Sequence, residues 1–219
     1  MTKSFWRVLV FAVVTVAIAS ACFGQSTDPI EAVCAVSQDL AAYSATIRMV
    51  QYQDGDCSEI EFTFNFVPPD RMRILYTAPA TVDGQTMILN ADKFYTYIPS
   101  LHRSVWQDVG EGGGNQGAEM GFLYDFVTCS AAETLEQATV EISEQIEMYA
   151  VEGTEEEIEV YVLTLTIDNE RQVVLLSCLD TAPVAISIYN GDDLALEIDV
   201  LDYEINGSVD EEWFTIPEQ

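Results

Sequence analysis

Apolar and polar residues alternate along Ile60–Pro99, which reads IEFTFNFVPPDRMRILYTAPATVDGQTMILNADKFYTYIP. Successive side chains of an extended chain point to opposite faces, so Ile60, Phe62, Phe64 and Phe66 fall on one side of a predicted strand, and Glu61, Thr63 and Asn65 on the other. The runs Met72/Ile74/Tyr76, Met87/Leu89 and Tyr95/Tyr97 keep this period. They are separated by Pro-Pro-Asp, Ala-Pro-Ala and Asn-Ala-Asp breaks, at spacings suited to antiparallel neighbours. These side chains are expected to share one sheet face, built of large, soft Phe, Met and Tyr. Such a face is either a packed core or a surface for an apolar ligand.

Before this stretch, Asp28-Pro29-Ile30-Glu31 supplies an N-cap, a proline at the first helical position and an acid three residues after the cap. Ile30, Val33, Cys34 and Leu40 follow at helical spacing, which predicts one amphipathic helix. Ala45–Tyr52 returns to period two and turns at Gln53-Asp-Gly-Asp56 into the Ile60 strand. After Pro99, Leu101–Trp106 predicts a further short strand, followed by the glycine-rich run 110–117. No Lys-Ser/Thr follows that run, so it is read as a flexible hinge and not as a phosphate loop. Met120, Phe122, Leu123 and Phe126 then cluster on a short predicted helix, and Ser130-Ala-Ala-Glu133 caps a second. Glycines leading into an apolar helix suit a lid; a helix packed permanently as core has the same pattern. Strands resume at 139–150, 157–167, 171–178, 184–190 and 193–203, with turns at Glu152-Gly153, Asp168-Asn169 and Asn190-Gly191. No internal repeat or long linker interrupts this series, so 25–219 is expected to be one domain.

The first 24 residues change the picture of where the chain works. A basic start, an apolar run from Val8 to Ala19 and the small residues Ala19, Ser20 and Ala21 form the pattern of a secretory signal peptide, and the apolar run is short for a membrane span. Ile18-Ala-Ser-Ala-Cys22 is similar to a degenerate bacterial lipobox, with Ala where Leu usually stands. Two outcomes are open: lipidation at Cys22, which would anchor the domain, or cleavage that releases it. Export places Cys34, Cys57, Cys129 and Cys178 in an oxidising compartment, where two disulfides with any of three connectivities are expected. Pairing Cys34 with Cys57 and Cys129 with Cys178 would tie a helix to a strand in each case, at about 2–4 kcal/mol per bridge. A metal site is disfavoured because these cysteines are far apart in sequence and the chain has one histidine.

Charge bears on partners. The chain carries 37 acids against 8 basic residues, for a net charge of −29, and Lys3 and Arg7 both lie in the leader. Such a surface repels nucleic acid and anionic membranes. Beyond Arg103 stand 27 of the acids with only Arg171 to oppose them. Solubility, life in high salt and a docking face for a basic partner all fit this distribution. Catalytic chemistry has no signature: there is no Gly-x-Ser-x-Gly, His-Glu-x-x-His or nucleotide fingerprint, and His102 sits alone in Ser-Leu-His-Arg. No enzyme activity, metal or cofactor is therefore expected.

One family pattern does fit. The strand series Phe-x-Phe-x-Phe-x-x-Pro-Pro-Asp-Arg-x-Arg-x-x-Tyr, with Pro69-Asp70-Arg71-Met72-Arg73-Ile74-Leu75-Tyr76, then Tyr95-Thr96-Tyr97-Ile98-Pro99 and a closing Trp213-Phe-Thr-Ile-Pro217, resembles the LolA-like outer-membrane lipoprotein-sorting family. The likeness covers most of the mature chain, and the order of elements carries it more than any one motif. It implies an α+β fold: a single, strongly curved antiparallel half-barrel of about 10–11 strands with an N-terminal helix and two short helices plugging its concave face. It also implies a monomeric periplasmic or envelope carrier whose partners are acyl chains of lipoproteins or other lipids, handed between membrane-bound donor and acceptor proteins. Soft apolar contacts suit a chain without fixed shape, and burial of an acyl tail gains about 0.8 kcal/mol per methylene. The family's arginine before the strand-three proline, which helps hold the lid, is Pro68 here; Arg71 or Arg73 is the candidate to replace it. Two alternatives stand beside the carrier: an envelope lipid sensor that binds a partner through its acidic half, and a structural envelope lipoprotein with a filled core.

Overall fold

Each alternating run that is described forms a strand. The computed structural model describes residues 40–53, 55–108, 139–151, 156–179 and 182–217. In chain order the strands are β1 (Tyr43–Gln53), β2 (Asp56–Val67), β3 (Arg71–Ala78), β4 (Thr86–Asn90), β5 (Lys93–Ile98), β6 (Arg103–Asp108), β7 (Thr139–Ala150), β8 (Glu157–Ile167), β9 (Glu170–Ser177), β10 (Pro183–Asn190) and β11 (Asp193–Ile205). They hydrogen-bond in the order β6-β5-β4-β3-β2-β1-β11-β10-β9-β8-β7, an antiparallel sheet of 11 strands. Among the described residues the helical elements are two 3-10 turns, Pro99–Leu101 and Glu211–Phe214. The signal peptide, the helix predicted from Asp28, the glycine run and the helices predicted at 120–126 and 130–133 lie outside the described residues.

The described residues fall into two compact units: 49–58 with 139–201, and 40–48 with 59–108 and 202–217. In the first, pairing registers align Ile198, Ile186, Val174 and Leu163 in one row across β11, β10, β9 and β8, with Leu196, Ile188, Gln172 and Leu165 in the next. These side chains are all buried, and among the described residues the buried apolar side chains of this unit are all aliphatic. Branched aliphatics fit the pleated surface of a sheet, and each that is fully buried contributes about 1.5–3 kcal/mol. Tyr149 of β7 donates to the Asp199 carboxylate of β11 at 3.0 Å. Three strands stand between them, and a flat sheet would hold them about 19 Å apart, so this part of the sheet coils strongly. The Asn190–Gly191 hairpin forms as the sequence predicts, with Gly191 at φ +63, a conformation open to glycine.

In the second unit the registers are equally explicit. Phe66 faces Met72, which faces Leu89, which faces Phe94; Phe64, Ile74, Met87 and Thr96 form the adjacent row. The opposite face carries Asn65, Arg73, Ile88 and Tyr95 in one row and Val67, Arg71, Asn90 and Lys93 in another. A bulge between Glu61 and Phe62 shifts the β2–β3 register near its open end.

The C-terminal segment covers that opposite face. Asn206 starts it: its side-chain oxygen accepts from Ala41 N–H at 2.6 Å, and its own N–H donates to Ala42 O at 2.8 Å. Asp210 then accepts from Glu212 N–H at 2.9 Å and caps the second 3-10 turn. Phe214 packs into a cluster with Ala42 and Val67. Three polar ties hold the segment down: the Arg71–Glu211 ion pair, Asn90 Nδ2 to Phe214 O at 2.9 Å, and Trp106 Nε1 to Pro217 O at 3.0 Å.

Candidate functional site

The apolar face of the second unit is the first candidate. Its side chains are Ile60, Phe62, Phe64 and Phe66 of β2, Met72, Ile74 and Tyr76 of β3, Met87 and Leu89 of β4, and Phe94 of β5. The face is graded along the strands. At one end Met72 and Leu89 are fully buried, and Phe64, Phe66, Ile74 and Phe94 are nearly so. At the other end Ile60, Phe62, Tyr76 and Met87 are half-buried. Phe62 and Tyr76 meet as tilted rings 5.8 Å apart, and Tyr76 Oη lies 3.7 Å from Met87 Sδ. Aromatic–sulfur contacts of this kind are soft and tolerate rearrangement. The face is therefore closed at the Met72–Leu89 end and accessible at the Phe62–Met87 end.

Tyr95 and Tyr97 are a correction. They were expected beside Met87 and Leu89, but Asn90 pairs with Lys93 across a two-residue turn, which sets Leu89 against Phe94 and Ile88 against Tyr95. A one-residue change of register exchanges the faces of a whole strand. Both tyrosines consequently point to the opposite face, where Tyr95 packs against Trp106 with ring centroids 5.4 Å apart and its hydroxyl lies 3.2 Å from Ser104 Oγ. Phe94 is the side chain that the sequence reading missed, and the two-residue Ala91-Asp92 turn was the signal that could have found it.

Arg71 and Arg73 share that opposite face. Arg71 is ion-paired with Glu211 and lies over the Phe214 ring at 5.4 Å. Arg73 lies over the Trp213 ring at 5.9 Å and reaches Asn65 Oδ1 at 3.5 Å. Burial pulls the Arg73 guanidinium below its usual range. A cavity of about 300 Å³ opens beside it, lined by side chains of β1, β2, β3 and the end of β11, with Trp213 on its wall.

The lid residues Met120, Phe122, Leu123 and Phe126, together with Cys22, Cys34 and Cys129, lie outside the described residues. Cys57 and Cys178, the expected partners of Cys34 and Cys129, are free thiols, exposed and half-buried respectively. Burial pushes the Cys178 thiol up, with Glu159 adding to the rise and a hydrogen bond from Tyr161 opposing it. His102 is exposed in a tight turn at φ +48. Among the described residues no group of His, Cys, Asp and Glu side chains is placed to hold a metal ion, and no helix is long and apolar enough to cross a membrane.

No family model and no curated protein matches the sequence. Solved structures do match. An uncharacterized conserved protein from Thermus thermophilus superposes with a TM-score of 0.53 at 9% identity, over 82% of this chain and 88% of that one. MucB superposes with a TM-score of 0.50 at 11% identity, over 98% of this chain, which spans 62% of the MucB chain. A LolA superfamily protein from Nitrosomonas europaea superposes with a TM-score of 0.38 at 11% identity, over 81% of this chain and 91% of that one. At such identities the likeness is one of fold alone: this chain shares the fold of the Thermus thermophilus protein and of MucB.

Proposed function

We propose that this chain is an exported carrier that shelters acyl chains of lipids or lipoproteins in transit through the cell envelope. The observation that carries the reading is the graded apolar face, sealed around Met72 and Leu89 and accessible at Phe62, Tyr76 and Met87. An acyl tail entering between Phe62 and Met87 meets aromatic and thioether contacts that impose no fixed shape, and each methylene buried contributes about 0.8 kcal/mol. The leader pattern read over residues 1–24 and the resemblance of the strand motifs to the LolA-like family support the same reading. The family's lid-holding arginine is Pro68 here, so its gate is not carried over residue by residue.

Lipid analysis of the protein purified from its own envelope under mild conditions tests this. Co-purified lipid, together with displacement of a fluorescent fatty-acid probe, is the expected result. Protein free of lipid that ignores the probe would overturn it. Phe62→Asp is expected to abolish probe uptake with little change in melting, because Phe62 is only half-buried. At Phe64, buried in the sealed part, the same change is expected to lower both.

A further inference from the structure

The cavity on the opposite face is a second site, and its polarity is ordered. The hydrogen bond from Asn206 N–H to Ala42 O fixes the local antiparallel register of β11 on β1. Continued along both strands, that register sets Glu204 beside Ser44 and Asp202 beside Thr46. The lining then runs from Asp202 and Glu204 on β11, across the hydroxyls of Ser44 and Thr63, to Arg73 on β3. Asn65, only 5% exposed, forms the floor and donates to Ser44 Oγ at 2.7 Å. The guanidinium lies over the ring of Trp213 from the C-terminal segment.

Among the described residues no carboxylate lies within ion-pair distance of Arg73, in contrast to Arg71 two residues away, which is paired with Glu211. A half-buried guanidinium without an anionic partner keeps N–H donors available for a carboxylate or phosphate group. The carboxylates at the far end offer the complementary acceptors for an ammonium group. A simple anion would be opposed by a chain of net charge −29, and a simple cation by Arg73 itself. A molecule with both charges and no net charge meets neither obstacle.

We infer that this cavity binds a small zwitterion, its anionic group on Arg73 and its primary ammonium on Asp202 and Glu204. The same chemistry can arrive as a free aminoalkyl phosphate or as the headgroup of an ethanolamine phospholipid. The site does not depend on what occupies the apolar face, so it stands or falls separately from the carrier reading.

Calorimetric titration of the full chain at low salt and about pH 5, where a phosphate monoester carries one negative charge and the probe no net charge, with O-phosphoethanolamine, inorganic phosphate and ethanolamine is the test. Phosphoethanolamine is expected to bind at least ~10-fold more tightly than either half alone, as both ends of a bipolar site are filled together. Arg73→Gln is expected to lose that affinity by ~10-fold or more. Asp202→Asn with Glu204→Gln, both exposed and so safe for folding, is expected to reduce it to the level of phosphate. A parallel flotation assay compares phosphatidylcholine vesicles with and without phosphatidylethanolamine, since the trimethylammonium of choline has no N–H for the carboxylates. Binding in the free arm assigns a soluble ligand, and binding in the vesicle arm alone assigns a headgroup. Absence of binding in both arms overturns the site, as does equal binding by the wild type and the Asp202/Glu204 variant.

Discussion

Leu163, Val174, Ile188 and Leu196 in one unit are as deeply buried as Met72 and Leu89 in the other, yet the two cores are built from different material. Among the described residues the buried apolar side chains of the first are all aliphatic, in rows of Ile, Val and Leu interrupted by Gln172 across β8 to β11. The second places Phe64, Phe66, Met72 and Phe94 on one face and needs a C-terminal segment with Trp213 and Phe214 to cover the other. Branched side chains have few rotamers and fix one packing; thioethers and rings leave room for rearrangement. The lesson is that one β-grammar yields both a stiff scaffold and a yielding surface, and the choice of apolar residue decides which.

The covering segment offers the largest way to break this contrast. Phe214 is 1% exposed and seals the Ala42–Val67 cluster. Phe214→Ala is expected to cost about 3–5 kcal/mol, read from the urea midpoint. A loss below about 1 kcal/mol would mean that the segment is ornamental and that the second unit closes without it. Leu163→Ala comes next, at about 2–5 kcal/mol, because a stiff aliphatic row cannot collapse around the void. Thermal melting should show the drop with no change in probe uptake.

Met87→Ala sharpens the contrast from the other side. Its side chain is half-buried at the accessible end of the apolar face, so the expected cost is about 1 kcal/mol, while fatty-acid probe affinity falls several-fold. A stability loss as large as that at Leu163, with probe affinity intact, would make this end ordinary core.

How much of this was legible beforehand follows from the same chemistry. Strands β7 to β11 were readable to within a residue or two because short runs rich in Val, Ile and Leu are bounded by turn residues and Asn190–Gly191 suits a tight turn. Strand β5 existed as predicted, but its facing did not follow from composition: Phe94, Tyr95, Thr96 and Tyr97 offer an apolar ring in both parities, so period two gives two equal answers. Only the hydrogen-bonded pair Asn90–Lys93 separates them. The Arg73 cavity was out of reach of any motif, because it is assembled from β1, β2, β3, β11 and a residue of the closing segment, 140 positions after Arg73. The closing Trp213–Pro217 segment was visible as a motif, while its use as a cover was not.

The smallest expected effect is the most specific. Tyr52 donates its hydroxyl proton to the Glu197 carboxylate within the aliphatic unit. That bond, with some burial and the nearby negative charges of Glu197, Cys57 and Asp199, pushes the phenol up from 10.0 to about 12. An unfolded chain releases this proton near pH 10.0 and the folded one near 12, so between these values the folded state holds more protons. Stability from this pair is therefore complete below the lower value and lost as pH rises toward the upper one. Tyr52 is 38% exposed, so at neutral pH Tyr52→Phe should cost only about 1 kcal/mol or less. The variant's urea midpoint should converge on the wild type's as the pH is raised through the alkaline window. If the gap between the two stays constant up to the highest pH at which both fold, the Tyr52–Glu197 bond does not form in solution.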